Sequence, residues 1–200
     1  MKKILSAVLC LILCLSCISA FAAETPEYAR SAALMVEQHD RFLESVYGDG
    51  QGYPLKMVDP SEYPGCVAYS TESRMIDLLF EPWNNGEGLQ LINIIIFRDD
   101  LESDDAAFEE LMKHLIGIMF LYLPDMAAVG DTDTFTNELV TGVVEAMGQP
   151  EGASWESAVV DFGGVAEVVA YVQNETFGIY IWFYEPISHS FLEARLASME

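Results

Sequence analysis

An α+β fold, a mainly antiparallel sheet with helices packed on one side in a single domain, is what this sequence predicts, on three observations. Helix-like segments fall between two groups of strand-like segments, without the strand-helix alternation of a doubly wound parallel sheet. Strand-like runs follow one another across turn signals, as in hairpins and meanders. Hydrophobic residues make up 52% of the 200 positions, which supports a buried core and argues against disorder.

In chain order, residues 1–22 read as a secretory signal peptide and 23–200 as the domain. Lys2 and Lys3 precede an apolar stretch over 4–18, and Ala20-Phe21-Ala22 supplies a small-x-small cleavage pattern. Residues 4–23 approach the ~20 needed to span a bilayer, but the apolar core is short and a polar segment follows directly. Lipid anchoring through Cys17 is a minor alternative: Ser16 precedes it, but Cys14 stands where such signals usually carry Leu. The expected location is secreted or extracytoplasmic, in a periplasm or cell envelope. Cleavage removes Cys10, Cys14 and Cys17 and leaves Cys66 as the sole thiol, so no internal disulfide is expected.

Residues 26–47 predict a helix, because Ala32, Met35, Val36, His39, Phe42, Leu43 and Val46 recur at three-and-four spacing. Gly48, Gly50 and Gly52 end it, and Pro54, Pro60 and Pro64 leave room only for a short edge strand over 55–58. Strands are expected over 66–71, 75–81 and 89–98, the last two joined through a turn at 84–88. Leu91, Ile92, Ile94, Ile95, Ile96 and Phe97 make the third run apolar on both faces, which places it centrally. Ser103 as cap, with Asp104 and Asp105 in the first turn, opens a helix expected to reach residue 123, its all-apolar end too short to cross a membrane. A helix over 134–147 follows, with Phe135, Leu139, Val143 and Met147 on one face and Gly148 and Pro150 closing it. Strands over 158–162, 165–173 and 177–185 form a meander, and a terminal helix spans 188–198.

Charge bears on partners. Removing the leader takes two of nine basic residues and none of the 32 acidic ones, which leaves seven against 32 and a formal charge of −25. Such a field repels phosphate backbones and anionic lipid, which argues against nucleic-acid and peripheral membrane binding. It favours cationic surfaces and cations, or serves solubility alone.

The strongest candidate surface is the last long strand, where Phe177, Ile179, Ile181 and Phe183 alternate with Gly178, Tyr180, Trp182 and Tyr184. Paired with the preceding strand so that core faces agree, it displays Tyr171, Tyr180, Trp182 and Tyr184 together, a platform suited to a protein, peptide or glycan. The competing expectation, which carries more weight on sequence alone, is that the terminal helix, striped by Leu192, Leu196 and Met199, or the first helix covers this face.

Acidic loops offer weak calcium candidates at Asp99, Asp100, Asp131 and Asp133; no other cofactor is expected. The second loop begins Asp131-Thr132-Asp133 but is not an EF-hand, because Thr136 replaces the required Gly and Gly142 stands where a bidentate Glu belongs. Catalytic residues are not assigned. His39 reads as a hydrogen-bonded core histidine, His114 as a helical pair with Glu110, His189 as part of a helix start, and Cys66 as a small buried hydrophobe. Gly-x-Ser-x-Gly, His-Glu-x-x-His and, in the mature chain, Cys-x-x-Cys are absent. Gly163-Gly164 is a lone pair in an expected hairpin, without a Lys-containing phosphate loop. The reading is therefore an exported acidic binding module of unassigned partner. The alternatives are an extracytoplasmic hydrolase with an unrecognised site and a calcium-dependent structural or adhesion protein.

Overall fold

In the computed structural model, which describes residues 25–48, 54–72, 75–83, 86–97, 105–122 and 132–199, eight strands form one antiparallel sheet. They are β1 (Lys56–Met57), β2 (Val67–Ser70), β3 (Ile76–Pro82), β4 (Leu89–Phe97), β5 (Ser154–Glu156), β6 (Val160–Phe162), β7 (Ala166–Gln173) and β8 (Thr176–Ile187). Among the described residues four helices accompany them: α1 (Glu27–Tyr47), α2 (Asp105–Met119), α3 (Thr132–Met147) and α4 (His189–Ala197). Strand order is β1-β2-β3-β4-β8-β7-β5, with β6 also on β7. The α+β class, the antiparallel pairing and the central place of β4 are as the sequence predicts.

The pleat sorts the strands into two faces. Inward, Ile92, Ile94 and Ile96 of β4, Phe177, Ile179, Ile181 and Phe183 of β8, and Val168, Ala170 and Val172 of β7 are buried in one continuous core. All four helices add to that core from the same side: Ala32, Met35 and Val36 from α1, Leu111, Leu115 and Ile118 from α2, Phe135, Leu139 and Val143 from α3, and Leu192 from α4. The outer face carries no helix among the described residues. The segment between β1 and β2 covers one corner of it, where Val58 packs on Ala68 and Leu79, beside Tyr63, Cys66 and Ile95.

Several boundaries differ from expectation for local reasons. The segment expected to remain helical to residue 123 tightens into a 3-10 turn over Phe120–Tyr122, where the Arg195 Nε–H donates to the Leu121 carbonyl at 3.1 Å. β5 was not expected, and β6 begins at Val160 rather than 158. Both lie along β7, and Ser157 bridges them: its N–H donates to the Ala170 carbonyl at 2.8 Å and its Oγ accepts the Ala170 N–H at 3.1 Å. One side chain thus maintains the ladder where the strand breaks. β8 runs on to Ile187 because its register with β4 shifts by a bulge, with Leu89 opposite Ile187 and Leu91 opposite Trp182. Buried Gln90 fills the gap by donating from Nε2 to the Phe183 carbonyl. Val46 lies off the α1 stripe and is exposed.

Residues 1–22, expected as a leader with Cys10, Cys14 and Cys17, the expected turn at Asn84 and Asn85, the expected cap Ser103, and Asp99, Asp100 and Asp131 all lie outside the described residues. Among the described residues, no helix is long and apolar enough to cross a membrane.

Candidate functional site

On the outer face, backbone register builds rows of side chains across the sheet. One row runs Glu81, Leu91, Trp182, Glu167 and Asp161 across β3, β4, β8, β7 and β6. The next places Leu79, Asn93, Tyr180 and Val169 side by side, and the third Asp77, Ile95, Gly178, Tyr171 and Glu156. Trp182 therefore stands between an apolar neighbour, Leu91, and an acidic one, Glu167. The helices expected to compete for this face pack on the other: Leu192 of α4 and the α1 stripe belong to the inward core. Trp182 and Tyr184 remain 43% exposed.

The four aromatics are not equivalent. Tyr171 lies down across β8, over Gly178, and its hydroxyl donates to Asn93 Oδ1 of β4 at 3.0 Å. Residue 178 has no room for a side chain, since a Cβ there would overlap the Tyr171 ring. Tyr171 is thus largely covered and forms a floor rather than a contact. Tyr180 leans on it, ring centroids 6.1 Å apart and tilted by 37°. Val169 beneath them is buried although it points outward. Tyr184 donates to Asp161 Oδ2 at 3.2 Å, at the β6 end of the Trp182 row.

Carboxylates set the electrostatics of this floor. Burial raises the phenol of Tyr171 above its ordinary pKa and nearby Glu81 raises it further, while the bond to Asn93 pulls the other way. Tyr180 is raised by burial and then by Glu156 and Glu167. Tyr184 is raised by burial, by its bond to Asp161, and by Glu167. Half-buried Glu81 is itself pushed up by burial. All three phenols thus feel negative charge, and Lys56 of β1, which the third row reaches beyond Asp77 and Ser70, pairs with Glu72 at 2.7 Å. Aromatic faces ringed by carboxylates suit a cation, because both quadrupole and charge attract it.

The remaining candidates scatter. Of the calcium candidates, only Asp133 lies among the described residues, exposed in the first turn of α3. No group of three or more His, Cys, Asp or Glu is placed to hold a metal ion among the described residues. His39 and His114 are fully buried together between α1 and α2, while His189 opens α4 with its Nε2 3.4 Å from Glu193. A cleft of about 410 Å3 lies between α3 and residues 157–160, near Glu138 and Glu145. Another of about 350 Å3 lies at the foot of β8, between Tyr122, Phe183, Tyr184 and Phe191. Neither is lined by a histidine among the described residues. Cys66 is half-buried and free, its thiol pushed up by burial and then by Glu81. Gly163 and Gly164 form the β6–β7 turn, where the Gly164 N–H donates to Asp161 Oδ1 at 2.6 Å.

Strand alternation puts Glu167 on the Tyr171 face, but sequence reasoning missed the other acidic partners of the aromatics. Glu167 was legible, being two and four residues from Val169 and Tyr171 on one strand face. Glu81, Asp161 and Glu156 come from other strands and were visible only through register. Compared with protein-family models, with curated proteins and with solved structures, the chain has no match.

Proposed function

We propose that this protein is an exported binding module whose helix-free sheet face takes a Lys- or Arg-bearing segment of a partner protein. The observation that carries this reading is the Trp182 row, an exposed indole between Leu91 and Glu167 with Glu81 and Asp161 at its flanks. Tyr180 and Tyr184 extend the contact, and Tyr171 supports it from below. The indole supplies apolar area, and the carboxylates pair with the cationic head while its methylene stem lies along the ring. The acidic exterior raises the encounter rate with such a partner. Signal-directed export, proposed from residues 1–22, places the module outside the cytoplasm.

The test is titration of the purified protein with an arginine- and lysine-containing peptide and with a glutamate-rich peptide of equal length. Saturable binding of the first alone is expected. Trp182→Ala should weaken it about tenfold or more, as truncating a buried aromatic contact does, with the thermal midpoint unchanged. Glu167→Gln should weaken it as well, whereas Glu37→Gln, on exposed α1 surface, should not. Equal effects of Glu167→Gln and Glu37→Gln would reduce the binding to diffuse charge attraction and remove the face from consideration.

A further inference from the structure

Two helices meet through a continuous chain of titratable groups that the binding face does not use. His39 of α1 and His114 of α2 are both fully buried, their rings edge to edge with centroids 5.0 Å apart and planes 14° from parallel. His39 Nδ1 lies 2.7 Å from Asp40 Oδ1, His39 Nε2 lies 3.0 Å from His114 Nδ1, and His114 Nε2 lies 3.4 Å from Glu110 Oε1. Asp40 Oδ2 accepts the Leu55 N–H at 3.0 Å, tying the chain to the segment entering β1. The approach is built into the helix: a Cβ at Gly117 would overlap the His39 ring. No other residue type at 117 lets His39 lie that close to α2.

We infer that the His39–His114 pair is an acid-release latch: it fastens α1 to α2 at neutral pH and frees them when acidification adds protons that the closed pair cannot hold. The argument is a proton count. Two ring nitrogens facing each other at 3.0 Å accommodate one hydrogen between them. The closed pair therefore holds at most three protons on its four nitrogens, one short of two imidazolium rings. Separated rings share no hydrogen, so each nitrogen is free to carry its own, as in a solvated imidazole below about 6.5. Opening is thus coupled to uptake of at least one proton, and acid favours the open form. The Asp40 carboxylate only accepts, so His39 Nδ1–H donates to it, and one hydrogen lies between His39 Nε2 and His114 Nδ1.

The surroundings act in the same direction. Burial holds His39 below the usual histidine range and His114 adds to this, while Asp40 and Glu110 oppose it. Among the described residues these are the charges that act on His39. Beyond Glu110, Lys113 lies 3.9 Å from it and 2.9 Å from Glu109, and its ammonium sits over the Tyr47 ring. The inward faces of β3 and β4, which pack on α1, present apolar Ile76, Leu78, Phe80, Ile92, Ile94 and Ile96. α4 meets α1 at its opposite end, where the His189 N–H donates to Glu27 Oε1.

Amide hydrogen exchange of the full chain between about pH 7.5 and pH 5, above the ordinary carboxylate range, tests the latch. After correction for intrinsic exchange, the opening constant of α1 and α2 amides around residues 39 and 114 should rise at least about tenfold per pH unit below about 6.5. Amides of α3, which packs on β7, should change less. His114→Asn should flatten the dependence, because the amide oxygen can accept from a fully protonated His39, whereas His189→Gln should preserve it. Ring-nitrogen NMR of the unaltered protein gives an answer that needs no variant: His39 and His114 should not both become imidazolium while the seam stays protected. Opening that is independent of pH overturns the latch. So do two full imidazolium rings in an intact seam, or a His114→Asn protein with the wild-type slope.

Discussion

Tyr171 and Gly178 show how one missing side chain can organise a surface. The tyrosine ring occupies the space above residue 178 and reaches Asn93 on the next strand, so three strands are strapped together on the face opposite the helices. Gly178→Ala must lift that ring. The expected cost is about 1–3 kcal/mol, in the range of overpacking, measured as a lower urea midpoint together with a changed near-UV spectrum. Tyr171→Phe keeps the ring and loses only the hydrogen bond, so its expected cost is smaller, about 0.5–1.5 kcal/mol. If Gly178→Ala were the milder of the two, the ring would not be lying where the structure places it.

Among the elements, the join between β5 and β6 and the start of α4 each depend on a serine. Ser157 Oγ accepts the N–H of buried Ala170, so Ser157→Ala leaves that donor unpaired. The expected loss is about 1–3 kcal/mol, and exchange of the Ala170 amide should quicken more than that of Val168, which pairs with Val160. Ser188 caps α4 by accepting the Phe191 N–H at 3.1 Å. Ser188→Ala is expected to cost about 1 kcal/mol in equilibrium unfolding. The cap was legible in sequence, because a serine before an apolar periodic run is a local signal. Ser157 was not, because its partner lies 13 residues away on another strand.

For the molecule as a whole, charge and histidine burial set the response to solvent. A formal charge of −23 repels itself in the folded state, so raising NaCl from about 20 mM towards 0.5 M should raise the thermal midpoint by screening. Calcium and magnesium at matched ionic strength should raise it equally; a saturable calcium-specific rise would instead make the acidic segments containing Asp99, Asp100, Asp131 and Asp133 a site. The pH response has a definite sign. Folding lowers the His39 pKa from about 6.5, so its contribution is fully present above that value and is lost as pH falls through it towards the lower folded value. Denaturant midpoints at pH 7.5 and pH 5.5 check this, with a lower midpoint expected at the acidic end.

Sequence alone determined what depends on neighbours along the chain. Periodicity marked α1, α3 and the strands other than β5, the doubly apolar run put β4 at the centre, and period-2 alternation put Tyr180, Trp182 and Tyr184 on one face. Tertiary structure decided what depends on register and on which side each helix takes. The four helices share one face and leave Trp182 open, carboxylates from β3, β5, β6 and β7 surround the aromatics, and Tyr171 lies flat beneath them. His39 and His114, each an ordinary helical histidine when read alone, meet across 75 positions of chain. The physical reason is range: helix and strand periodicity arises from contacts a few residues apart, whereas a packed face or a shared proton needs groups brought together by closing long loops.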